Sequence, residues 1–181
     1  MLKHKEQPKT RLGILAPDKK ETLSVEECQP LFSCGVKALE VGNVATAFLC
    51  FSGIETNSPA ALFNLALCFF KAEDYEHALD WLHQARKKME NLKSIRPHKA
   101  VPVLLEKTEA KQCGYRFPMQ YEFPALLPVR AEQQIMRLQA DILYALGRTD
   151  ELEILLHVLG GKGYENIERI RNSLVNNREE I

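Results

Sequence analysis

The sequence lacks most of what specialised chemistry requires. It has no net charge, with 24 Lys and Arg against 24 Asp and Glu, which excludes a chain driven as a whole by polyanion binding. No apolar run approaches the roughly 20 residues of a membrane span. Behind the basic start Met1-Leu2-Lys3-His4-Lys5, the apolar stretch Leu12–Ala16 contains Gly13 and ends at Pro17. It is shorter than the about 7–15 residues of a signal core, so a cytoplasmic protein is expected. The five cysteines, at 28, 34, 50, 68 and 113, form no C-x-x-C pair and mostly have apolar neighbours. Free, buried thiols in a reducing compartment follow.

Catalytic and ligand motifs are equally scarce. Gly-x-Ser-x-Gly and H-E-x-x-H do not occur. His77 and His83 are six residues apart, a spacing that does not share a helix face, and His98 and Cys113 stand alone. Gly160-Gly161-Lys162-Gly163 has neither the spacing nor the preceding strand of a phosphate loop, and reads as a glycine-capped helix end. Glu26-Glu27 stand where a helix N-terminus favours acids. No catalytic residue, metal site or cofactor is expected, and no enzyme activity.

What remains is a chain of 181 residues, 45% hydrophobic and 27% charged, enough for one soluble domain with a sizeable core. Its neutrality is a sum of separated patches. Residues 1–20 carry an excess of four positive charges, and 86–111 (Arg86, Lys87, Lys88, Lys93, Arg96, Lys99, Lys107, Lys111 against three Glu) an excess of five. Residues 1–23, with Pro8, Gly13 and Pro17, lack a helical period and read as a flexible or docked arm. From Ser24 the pattern turns helical, opened by the capping box Ser24-x-x-Glu27. It continues to about Leu92, with breaks at Gly42 and Asn57-Ser58-Pro59. Alternating strands of useful length are absent, so the class is all-α.

Segment 59–90 carries Leu62, Leu65, Ala66, Phe69, a turn at Glu73-Asp74-Tyr75, then Ala78, Leu82 and Ala85. The small residues Ala66 and Ala78 lie twelve apart, which lets two antiparallel helices approach closely. The frame recurs upstream with Gly35 and Ala47 about the turn Gly42-Asn43. It recurs downstream with Ala140 and Leu152 about Gly147-Arg148, where Gln139 replaces an expected large apolar residue. These segments, about 28–90 and 133–157, resemble tetratricopeptide repeats. The resemblance implies an array of about three helical hairpins spanning 24–181. Residues 91–132 would be inserted between the second and third hairpins, and a helix at 164–177 would cap the end. Within the insertion, 99–112 has a helical period. Residues 113–130, with Pro118, Pro124 and Pro128 among Tyr115, Phe117, Tyr121 and Phe123, are expected to form an irregular packed loop.

The resemblance also implies a function: a scaffold or adaptor that takes a peptide or helix in a concave groove. Carried over by spacing, that groove comprises Phe32, Val36 and Leu39 from the first repeat. The second supplies Phe63, Asn64, Leu67, Phe70 and Lys71, and the third Arg137, Asp141 and Tyr144. Asn64 falls where family members use Asn to hydrogen-bond a ligand backbone. Ser33 stands where a second Asn would be, and the groove is mostly apolar. An amphipathic helix or extended hydrophobic segment therefore suits it better than a C-terminal carboxylate. A small secretion-type chaperone for hydrophobic segments is a variant of this reading. RNA or polyanion binding through 86–111 is the alternative of another class. Uncovered repeat ends allow self-association. The arm or the 113–130 loop could itself fill the groove.

Overall fold

The computed structural model describes residues 25–54, 58–93, 108 and 110–179. Every regular element among them is helical: α1 (Val25–Glu40), α2 (Val44–Ser52), α3 (Pro59–Lys71), α4 (Tyr75–Lys93), α5 (Phe123–Leu126), α6 (Pro128–Ala145), α7 (Thr149–Leu159) and α8 (Glu165–Glu179), with a 3₁₀ turn at Cys113–Arg116. The all-α class expected from periodicity is the class observed. The arm 1–23, the capping side chains Ser24 and Glu27, Arg96, Lys99 and Lys107 fall outside the described residues, as does most of the helix expected at 99–112. Of that helix Thr108 and Ala110 are helical. No described helix is long and apolar enough to cross a membrane.

Three short turns fold α1 onto α2, α3 onto α4 and α6 onto α7, and α2 packs on α3 and α4 on α6. The turns are one backbone motif used three times. The residue beyond each helix end takes a left-handed conformation: Gly42 (φ 79°), Glu73 (φ 60°) and Gly147 (φ 67°). The next amide then donates five residues back: Asn43 to Ala38 O at 2.7 Å, Asp74 to Phe69 O at 3.0 Å, and Arg148 to Leu143 O at 3.0 Å. Terminal carbonyls that a helix leaves free are thus satisfied in the same way each time. Asn43 also caps α2, its Oδ1 accepting from the Thr46 amide at 3.1 Å.

Small residues set the spacing between paired helices. A Cβ on Gly35 would stand 2.7 Å from the Phe51 ring, so α1 and α2 close only over a glycine. Ala66 and Ala78 are fully buried between α3 and α4. At the far end Ile167 and Ile170 of α8 are buried and Leu174 packs beside them. Arg171 Nη2 donates to Leu156 O at 2.7 Å near the end of α7.

Segment 113–130 is more regular than its three prolines suggest. Pro124 and Pro128 occupy the first turns of α5 and α6, where a missing amide costs no helical bond. The expectation of uniformly buried thiols is also corrected: Cys28, Cys50 and Cys68 are buried, but Cys34 and Cys113 are exposed. Apolar neighbours in sequence do not bury a residue that a helix turns outward.

Candidate interaction face

The helices α1, α3 and α6 present one continuous set of residues to segment 112–127. That segment runs across them in reverse chain order, starting on the third hairpin. There Tyr115 Oη donates to Asp141 Oδ2 at 2.6 Å. Arg116 reaches the same oxygen through Nε at 3.0 Å and also through Nη2. Next, on the second hairpin, Asn64 grips the Met119 backbone from both sides. Its Nδ2 donates to Met119 O at 2.9 Å, and its Oδ1 accepts from the Met119 amide at 2.8 Å. The first hairpin comes last: the Tyr121 ring meets Phe32 edge-on at 5.3 Å between centroids, and Gln29 Nε2 donates to Glu122 Oε1 at 3.4 Å. The chain then returns through α5 to the start of α6.

Burial follows this path. Of the groove residues expected from spacing, Phe32, Val36, Leu39, Phe63, Asn64 and Leu67 are buried, and so are Arg137 and Asp141. Phe70 is half-buried, with the Arg116 guanidinium 5.4 Å from its ring centroid. Lys71 and Tyr144 are exposed and stand outside the covered area. Met119 is 1% exposed and Tyr115 is buried, whereas Phe117 is 63% exposed. Three of the four aromatics in the segment therefore turn toward the protein, and Phe117 faces solvent.

The α6 part of the face is polar and fully wired. Arg137 Nε donates to Asn166 Oδ1 at 3.0 Å and its Nη2 to Gln112 O at 3.1 Å. Its guanidinium lies over the Tyr115 and Tyr164 rings at 4.2 and 4.5 Å. Asn166 Nδ2 donates to Asp141 Oδ1 at 3.1 Å. Burial, and then the hydrogen bond to Asp141, pushes the Tyr115 hydroxyl well above the ordinary range, so it remains a donor. Burial works against the Arg116 charge. The hydrogen bond and the charge of Asp141 outweigh that effect and raise its pKa. Such a buried carboxylate is stable only because its oxygens accept from three side chains, Tyr115, Arg116 and Asn166.

The residues that complete this face, Tyr115, Arg116, Met119, Tyr121 and Asn166, were not among those picked by repeat spacing. The aromatics between prolines marked a packed segment, but nothing in the sequence singles out Asn166. Among the described residues no group of three or more His, Cys, Asp or Glu is arranged to hold a metal. Cys34 and Cys50 are hydrogen-bond neighbours across α1 and α2, and burial pushes the Cys68 thiol up to about 12. In the basic stretch, Arg86 is half-buried and Lys87 exposed on α4. No protein-family model matches the sequence, and no curated protein and no solved structure matches it.

Proposed function

We propose that this chain is a tetratricopeptide-like module for protein–protein interaction, a scaffold or adaptor without catalysis of its own, whose apolar face receives an extended or helical segment of a partner. The carrying observation is the paired hydrogen bonding of Asn64 to both main-chain polar groups of Met119, its N–H and its C=O. A side chain that satisfies the main-chain donor and acceptor of one residue is a receptor for backbone rather than for a particular side chain. The recurring small-residue frame and the recurring turn at 42, 73 and 147 support the repeat architecture. In this reading residues 112–127 are an internal ligand, and a partner segment takes their place over Phe32, Phe63 and Leu67. The cytoplasm is the compartment that suits cysteines present as thiols rather than disulfides.

The test replaces residues 114–126 with a Gly/Ser linker and adds a labelled peptide spanning 112–127 in trans. The peptide should bind the linker variant and not the wild type, by fluorescence anisotropy. Asn64→Ala in the linker background should weaken it by about tenfold or more. A linker variant with native helicity that ignores the peptide rules the reading out. Hydrogen exchange on the unaltered chain covers the case in which the variant fails to fold. The Met119 amide should be protected in the free protein and lose protection when a groove-binding partner is bound.

A further inference from the structure

The first hairpin differs from the other two at one matched pair of positions. Cys34 of α1 stands eight residues before the turn residue Gly42, and Cys50 of α2 stands eight residues after it. A helix rises about 1.5 Å per residue, so the two cysteines reach the same height on antiparallel neighbours. By the small-residue frame, the same positions hold Leu65 and Trp81 in the second hairpin, and Gln139 and Leu155 in the third. Gln139 and Leu155 line one cavity, so the frame brings these positions together there too. In the first hairpin it brings together two thiols, and they are hydrogen-bond neighbours.

Spacing and access both suit a covalent link. A disulfide needs Cα atoms about 4.4–6.8 Å apart, which facing helix positions meet only at close approach. Gly35, next to Cys34, supplies that approach: the ring of Phe51, next to Cys50, sits where a Cβ on residue 35 would collide. The two sulfurs differ in access, since Cys34 is exposed and Cys50 is buried. Burial, and then the hydrogen bond to Cys34, raises the Cys50 pKa, which makes it the slower thiol toward a dissolved oxidant. Cys68 of α3 is also buried and lies close enough to Cys50 for their charges to interact.

We propose that Cys34 and Cys50 form a redox modification site, at which a small-molecule disulfide of the glutathione type links them across α1 and α2. The Cys34 thiol loses its proton, and the thiolate attacks one sulfur of the small disulfide. That S–S bond breaks and one thiolate leaves. Cys50 then gives up its proton and attacks the Cys34 sulfur, which forms the protein S–S bond and releases the second thiolate. Two protein thiols are oxidised, one small disulfide is reduced to two thiols, and the leaving thiolates take up the two protons. The link closes a loop over the Gly42 turn and holds α1 on α2. It thereby fixes Phe32, whose ring meets both Phe51 and Tyr121. In a reducing compartment such a link is transient and follows the oxidant. The inference does not depend on the interaction reading and is tested on the intact chain without a partner.

The experiment equilibrates the full chain in glutathione buffers of rising oxidised fraction, traps free thiols by alkylation and maps the unreduced peptides by mass spectrometry. A peptide joining Cys34 to Cys50 should appear in monomeric protein, rise to a plateau and vanish with excess dithiothreitol. Cys50→Ser should stop the reaction at the mixed disulfide of Cys34 with glutathione. Cys34→Ser, a change at an exposed side chain, should leave Cys50 as a thiol. If Cys50→Ser fails to fold, the wild-type map and Cys34→Ser decide. The linked chain should melt at least about 4 °C above the reduced chain, as expected for a closed loop of this size. A wild-type plateau at the Cys34 mixed disulfide, a link from Cys34 to Cys68 or to a second chain, or an unchanged melting temperature overturns the proposal.

Discussion

The second and third hairpins use the same frame for opposite interiors. Phe63, Leu67 and Phe70 of α3 stand 74 residues before Arg137, Asp141 and Tyr144 of α6. The first two of each trio are buried. In α3 they lie in an apolar layer under Met119, with Asn64 as its polar member. In α6 they are a cation and an anion whose partners come from the insertion and from α8. The same contrast reaches the turns. Asp74 pairs with His77 at 2.8 Å in one, and at the equivalent positions Arg148 pairs with Glu151 at 2.6 Å in the other. A helix position thus fixes where a side chain points. What it must be depends on which distant segment arrives there.

The most severe way to break this comparison is to exchange the two interiors. Leu67→Asp places a carboxylate at a fully buried position of the apolar core, and should cost at least about 4 kcal/mol by urea denaturation. Asp141→Leu should cost less, about 2 kcal/mol, because the 40% exposed Arg116 side chain can turn to water. Equal costs would mean that the two sites are not different environments. Asn64→Ala comes next. It leaves the Met119 N–H and C=O without their side-chain partner and should lower stability by about 2 kcal/mol, with faster exchange at the Met119 amide.

A smaller effect, of opposite sign, is expected at Gln139. It occupies the place that Leu65 holds in α3, it is 2% exposed, and its Oε1 is buried without a hydrogen-bond partner among the described residues. Gln139→Leu should raise the urea midpoint by about 1 kcal/mol of stability, and a loss would assign the carboxamide a role. The least effect concerns the paired turns. The hydrogen bond and charge of Asp74 raise His77 above its ordinary 6.5, and the same hydrogen bond holds Asp74 below its ordinary 3.8. The Asp74–His77 pair therefore contributes fully below about pH 6.5 and fades as pH rises through the raised His77 value. At the acid end it is lost as pH falls through the lowered Asp74 value. The hydrogen bond to Glu151 raises the Arg148 pKa further above its already high ordinary value, so that guanidinium keeps its charge above pH 7. An NMR titration should show His77 dropping toward its ordinary value in Asp74→Asn, and an unmoved midpoint would dissolve the pairing.

Local features made the helices legible. The twelve-residue spacing of small residues and the Gly or Glu-Asp turns act within one hairpin, so Gly35 with Ala47 and Ala66 with Ala78 announced themselves. The insertion did not. Asn64 and Met119 are 55 residues apart, and Arg137 and Asn166 are 29 apart. Such pairs carry no periodic signal. Arg137 and Asp141 looked like groove residues because of their register; their partners within the chain are what spacing could not reveal. Pro124 and Pro128 misled in the other direction, since a proline opening a helix looks in sequence like one that prevents it.

The reverse path of residues 112–127 has a consequence for how the molecule comes apart. An array of hairpins touching only its neighbours stores its stability as a chain of nearest-neighbour terms and frays from its ends. Here Arg116, Met119 and Tyr121 tether the third, second and first hairpins by one strand of chain. The strap converts a linear stack into a closed circuit of contacts. Loss of the first hairpin loosens the third as well, and the array is expected to melt as one cooperative unit rather than hairpin by hairpin.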